Sequence, residues 1–118
     1  MAYVDAFLMP VLAQREADYR AWAEIGCKVW MEYGALAYSE CRAEDVPEGK
    51  VTSWPMAVKL EPGEVLYLAF ATYRDRAHRD EVNAKVMTDP RVQGMMKDSP
   101  ANMQRMIWGG FATVVTSG

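Results

Sequence analysis

The stretch Val65-Leu66-Tyr67-Leu68-Ala69-Phe70-Ala71-Thr72-Tyr73 decides the fold. It is rich in β-forming residues, follows the turn signal Pro62-Gly63 and stops at Arg74-Asp75, so it predicts a strand. Successive side chains of a strand point to opposite faces, which sets Val65, Tyr67 and Ala69 against Leu66, Leu68 and Phe70. Both faces are apolar. The run Tyr3 to Met9 repeats this, with Tyr3, Phe7 and Met9 on one side and Val4, Ala6 and Leu8 on the other, and its strand is expected to stop at Pro10.

Between these strands the period changes. Tyr19, Trp22, Ala23, Gly26, Val29, Trp30 and Tyr33 trace one face of a helix predicted over Gln14 to Tyr33, with Gly34 as its stop. A second strand is expected over Leu36 to Cys41, and a polar loop then leads to a short extra strand over Met56 to Leu60. Asp75 is a suitable N-cap for a helix running to Met87. Thr88-Asp89-Pro90 opens a short helical turn over Arg91 to Lys97, and Arg105 to Thr116 closes the chain as the last strand. Gly109-Gly110 within that strand marks a bulge or a close backbone approach.

The order β-α-β-β-α-β is that of an α+β, ferredoxin-like domain, here a single one over residues 1–118. Two helices cover only one face of its sheet. The other apolar face needs a cover, and a second copy supplies it: two sheets packed face to face form a dimeric α/β barrel with a self-complementary interface. The alternative is a monomer whose loop 44–60 folds back over the sheet.

Composition narrows the partners. Hydrophobic residues at 51% and charged residues at 25% leave no stretch that reads as disordered, and a net charge of -3 provides no basic stripe for nucleic acid. No run approaches the roughly 20 apolar residues of a bilayer span, and the apolar amino terminus carries Asp5 and no basic region of a signal peptide, so no membrane partner is expected. Cys27 and Cys41 lack a paired spacing and read as reduced, buried thiols of a cytoplasmic protein. One histidine and two scattered cysteines give no zinc-ligand pattern, so neither metal nor cofactor is predicted.

The run Arg76-Ala77-His78-Arg79-Asp80-Glu81-Val82-Asn83-Ala84-Lys85-Val86-Met87-Thr88-Asp89-Pro90-Arg91 resembles the signature of the YbaA-like bacterial proteins. The likeness extends through Met1-Ala2-Tyr3-Val4-Asp5, Glu40-Cys41, Asp45 to Ser53, and Arg105-Met106-Ile107-Trp108-Gly109-Gly110-Phe111. This resemblance implies the dimeric α/β-barrel superfamily, which also holds antibiotic-biosynthesis-type monooxygenases and haem-degrading enzymes. Fold alone does not carry function across. An RNA-related label on some relatives finds no support in the acidic composition.

The candidate chemistry rests on few residues. His78, the single histidine, falls at the third helical position after Asp75 and shares a stripe with Val82 and Val86. It is a candidate base or, on a haem-binding reading, an axial ligand; a structural histidine is the alternative. Asp5 in an apolar strand requires a partner, expected among Arg74, Arg76 and Arg105. A carboxylate and an imidazole converging between sheet and helix would suit proton abstraction from a phenol-like molecule. Trp22, Trp30 and Tyr73 are candidate walls for a small aromatic ligand, with Arg74 beside them, and Met87, Met95, Met96, Met103 and Met106 would fill gaps or form a pliable lid. The reading carried forward is a small-molecule-binding protein with cofactor-independent monooxygenase- or isomerase-like activity; the alternative is a non-catalytic dimeric binding or regulatory module.

Overall fold

In the computed structural model, which describes residues 2–118, the elements are β1 (Tyr3–Leu12), α1 (Glu16–Glu32), β2 (Ala37–Arg42), α2 (Trp54–Ala57), β3 (Glu64–Tyr73), α3 (Arg76–Met87), α4 (Pro90–Met95) and β4 (Ile107–Ala112). The strands form one antiparallel sheet in the order β2-β3-β1-β4. That is the ferredoxin-like arrangement, with α1 and α3 on one face.

Cap chemistry fixes the helix ends. Gly34, at φ 109°, closes α1 while the Ala35 N–H donates to the Trp30 carbonyl across the last turn, a closure that favours glycine. Asp75 caps α3 by accepting from the His78 N–H at 2.8 Å, and Asp89 caps α4 by accepting from the Arg91 N–H at 2.8 Å with Pro90 in the first turn. The register pairs Phe7 with Ala69 and Trp108, and Asp5 with Ala71 and Gly110. A Cβ at Gly110 would lie 2.5 Å from the Tyr3 hydroxyl oxygen and 2.6 Å from the nearest Tyr3 ring carbon, so the Tyr3 side chain approaches the backbone closely there.

Four expectations are corrected. β1 does not stop at Pro10 but runs to Leu12, because Pro10 turns its donor-less nitrogen toward the side where only its carbonyl is needed, accepting from the Asn102 N–H at 2.9 Å. The segment expected as a strand over Met56 to Leu60 begins instead as the helical turn α2, since Ser53 Oγ accepts from the Met56 N–H and Pro55 occupies the first turn. The last strand is shorter than expected: Asn102 Oδ1 binds the N–H groups of Gln104 and Arg105 in a turn, and pairing past Ala112 ends with Thr113 on Ala2. Cys41 is exposed and Cys27 half-buried, because Cys41 lies on the sheet face that the helices leave open.

That open face is only partly closed by the protein's own chain. Val58, just after α2, packs on Leu8 and Leu66 at one end of the sheet. The rest of the face carries Ala6, Leu68, Ile107 and Phe111, with Trp54 beside them, and Phe111 is 62% exposed. No helix among the described residues is long and apolar enough to cross a membrane.

Candidate functional site

Alternation sends Asp5, Phe7 and Met9 of β1 toward the helices, with Tyr38 and Glu40 of β2 and Ala69 of β3 on the same face. Between this face and the helices lies a cavity of about 350 Å³. Phe7, Trp22, Trp30 and Trp108 form its aromatic walls. Six of the nine methionines line it as well: Met9 from the sheet and Met87, Met95, Met96, Met103 and Met106 from α3, α4 and the segment beyond. The cluster expected from the sequence as gap filler or lid thus flanks a real space, and unbranched thioethers allow such a wall to adapt to an occupant.

Polar groups are few at this cavity. Its lining includes Asn83 of α3, and its ionisable members are Tyr38 and Glu40. Glu40 accepts two hydrogen bonds, from Tyr19 Oη to Oε1 and from Tyr38 Oη to Oε2, each at 2.6 Å. Burial raises its carboxyl above the ordinary value, and the two tyrosine hydroxyls pull it part of the way back. Burial and the neighbouring carboxylate also push the Tyr19 and Tyr38 phenols far up, so both stay donors. No salt bridge to Glu40 is found among the described residues.

Behind Glu40 lies a second, more polar hollow. It is lined by Arg20, Glu24 and Cys27 of α1, by Arg42 of β2 and by Tyr67 of β3, and it shares Tyr38 and Glu40 with the cavity. The carboxyl therefore stands in a wall between an apolar interior and a charged outer groove.

The residues proposed from sequence are distributed otherwise. Trp22 and Trp30 line the cavity; Asp5, Tyr73, Arg74 and His78 are not among its lining groups. Asp5 is fully buried and meets Arg79 Nη1 at 2.8 Å and Asn83 Nδ2 at 3.2 Å. Its partner is therefore Arg79, in place of Arg74, Arg76 or Arg105. With Asp75 as N-cap, residues 79 and 83 stand one turn apart on the side of α3 that faces β1, whereas Arg76 pairs with Asp80 at the surface and Arg105 with Glu64. Burial lifts the Asp5 carboxyl, against the opposing pull of Asn83 and Arg79.

His78 is buried, but its Nδ1 accepts from the Arg74 backbone N–H at 3.0 Å and its ring stands edge-on to Tyr73. The structure does not bring Asp5 and His78 together. The His78 ring meets Tyr73, whose hydroxyl donates to Asn83 Oδ1 at 3.4 Å, the same side chain whose amide donates to Asp5. Arg74 contributes a backbone donor to this cluster while its side chain is exposed. Asn83 links the buried pair to the cavity wall, its Oδ1 accepting from Trp30 Nε1 at 3.3 Å.

Glu40 with Tyr19 and Tyr38 is the constellation that reading from sequence missed. Its signal was present in the alternation Tyr38-Ser39-Glu40, which places a phenol and a carboxyl on one strand face. Tyr19, in contrast, is 21 residues away and joins only through packing.

The family model described as "Protein of unknown function (DUF1428)" matches residues 2–103. The chain belongs to the DUF1428 family. Over 115 residues this DUF1428 protein is 40% identical to "Uncharacterized protein YbaA" of Escherichia coli K12, with 98% of each chain covered. Its structure is similar to SnoaB, a cofactor-independent oxygenase from Streptomyces nogalater, at a TM-score of 0.64 and 12% identity, covering 98% of this chain and 96% of that one. It is also similar to a dimeric ferredoxin-like protein from an uncultured marine organism, at a TM-score of 0.56 and 13% identity over 98% and 99% of the two chains. These structural likenesses establish the fold of the DUF1428 chain, that of the ferredoxin-like, dimeric α+β-barrel proteins.

Proposed function

We propose that this protein binds a small, flat, uncharged molecule in the cavity between sheet and helices, and that it works as a homodimer closed over the open sheet face. The observation that carries the ligand reading is the composition of the cavity: aromatic and methionine walls around a half-buried carboxyl. Pockets of this kind are mainly apolar, with a few placed polar groups that orient the ligand. Among the described residues that line the cavity, none is a cation that could pair with an anionic ligand. Cofactor-independent oxygenation, the activity of the structurally similar SnoaB, can begin by removing a proton from such a molecule, and so can isomerisation.

The test is a thermal-shift series with neutral one- and two-ring aromatic compounds. A true ligand at 100 times its Kd stabilises the fold by about 2.7 kcal/mol. Ala69→Leu, which fills the cavity from the sheet, abolishes the shift, and His78→Ala retains it. A series with no stabilising compound, or a shift indifferent to Ala69→Leu, overturns the reading.

The dimer reading rests on the apolar patch around Leu68, Ile107 and Phe111 and on the fold shared with a dimeric relative. Sedimentation at micromolar concentration should give a dimer, and Phe111→Glu should yield monomers. The two free cysteines and the net charge of -3 suit a reducing, cytoplasmic setting and a partner other than nucleic acid.

A further inference from the structure

We propose that Glu40 is the proton acceptor of the cavity and that its substrate is a flat, neutral one- or two-ring ketone with an acidic C–H beside the carbonyl. This rests on the cavity being the ligand site and adds to it a reaction and a substrate class. Three observations carry it. Among the described residues that line the cavity, Glu40 and Tyr38 are the ionisable ones, and no cysteine, lysine or serine is present to act as a nucleophile. The chemistry available to this wall is therefore proton transfer.

The second observation is the wiring of Glu40. Each of its oxygens already accepts one tyrosine hydroxyl, which fixes the carboxyl in place, and the remaining lone pairs are free to receive a proton. Tyr19 lies outside the cavity lining, while Tyr38 is part of it. The third is the outer groove, which shares Glu40 and Tyr38 with the cavity and gives a proton held there a route to solvent.

The step balances without a co-reactant. The C–H bond next to the carbonyl breaks, its proton passes to Oε2 of Glu40, and its electron pair becomes the enolate double bond as the carbonyl π pair moves onto oxygen. Protonated Oε2 no longer needs the Tyr38 hydroxyl as a donor. The new O–H donates to Tyr38 Oη, and the Tyr38 proton turns into the cavity to donate to the enolate oxygen. Return of the proton from Glu40 to carbon restores the ketone; alternatively Tyr38 passes its hydroxyl proton to the enolate oxygen and takes the Glu40 proton in its place, which releases the enol and regenerates the carboxylate. Glu40 and Tyr38 are the catalytic residues, and Tyr19 is a positioning residue.

The probe is 2-tetralone, a neutral two-ring ketone, incubated with the intact protein in deuterated buffer and followed by proton NMR. Wild type should accelerate loss of the proton signal beside the carbonyl, and Glu40→Gln should lower that acceleration by about 10²-fold or more while still binding tetralone, the scale of general-base catalysis. Tyr38→Phe should slow exchange without removing it.

The rate should rise with pH as Glu40 ionises, at a pH above the usual carboxylate range. The charged and titratable groups facing Glu40 are Tyr19, Arg20, Glu24 and Cys27 of α1, Tyr38 and Arg42 of its own strand and Tyr67 of β3, so loss of the profile in Glu40→Gln assigns it. Tyr19→Phe removes one donor to the carboxylate, which should shift the profile to higher pH and preserve the plateau rate. Tetralone bound to wild type without faster exchange, or exchange that persists in Glu40→Gln, overturns the assignment. If neither tetralone nor any other neutral aromatic binds, the cavity reading fails and the assignment fails with it.

Discussion

Asp5 and Glu40 are carboxylates withdrawn from water on the same face of the same sheet, yet they are compensated differently. Asp5 meets a guanidinium at 2.8 Å and an amide at 3.2 Å, in a pocket closed to solvent. Among the described residues Glu40 is hydrogen-bonded only by two phenol hydroxyls, and it borders both an apolar cavity and an outer groove. A buried charge matched by a fixed counter-charge holds elements together. One left without a counter-charge beside an empty space is costly to the fold and useful to a ligand. On the proposal made above, Asp5 serves architecture, joining β1 to α3, and Glu40 serves chemistry.

The largest effect expected from this contrast comes from breaking the architectural pair. Arg79→Met leaves Asp5 buried and uncompensated, so denaturant unfolding should show a loss of about 3–5 kcal/mol, while the protein that remains folded still binds its ligand. His78→Ala deprives the Arg74 N–H of its acceptor and Tyr73 of an edge contact, which should cost about 1–3 kcal/mol by the same measurement without altering ligand affinity. An altered affinity in either variant would blur the division between the two sites.

A smaller effect is expected on the cavity side. Trp22 Nε1 donates to the Met95 carbonyl at 2.9 Å and ties the end of α4 to α1. Trp22→Phe removes that tie for about 1 kcal/mol and should appear as faster amide hydrogen exchange confined to α4 and the segment after it. Uniform exchange rates across the molecule would show that the methionine-rich wall moves only with the whole fold.

The fold was legible in the sequence because each element carries its own local signal. The two-sided strand at Val65 to Tyr73, the helix stop at Gly34 and the caps at Asp75 and Asp89 all act within a few residues. The site was only partly legible. Trp22 and Trp30 show themselves through helical spacing, and the methionines through sheer number. The partner of Asp5 depends on which turn of α3 lies over β1, and the environment of Glu40 depends on a tyrosine from another element. Charge alone marked Arg74, Arg76 and Arg105 as candidate partners of Asp5 and passed over Arg79. Packing separated them, giving Arg79 to Asp5 and Arg105 to Glu64.

The smallest effect has the opposite sign, and it tests the contrast most directly: the melting temperature of wild type against Glu40→Gln, measured across pH. Burial holds the Glu40 carboxyl above its unfolded-state value of about 4.3, so the folded chain binds that proton more tightly than the unfolded chain does. Its contribution to stability is complete below that value and is lost as pH rises through the higher, folded-state value. A glutamine suffers no such loss. The variant should therefore melt above wild type at pH 7, with the gap closing as pH falls toward about 4. A variant that melts below wild type at pH 7, by a margin independent of pH, would make Glu40 a structural residue and contradict the account.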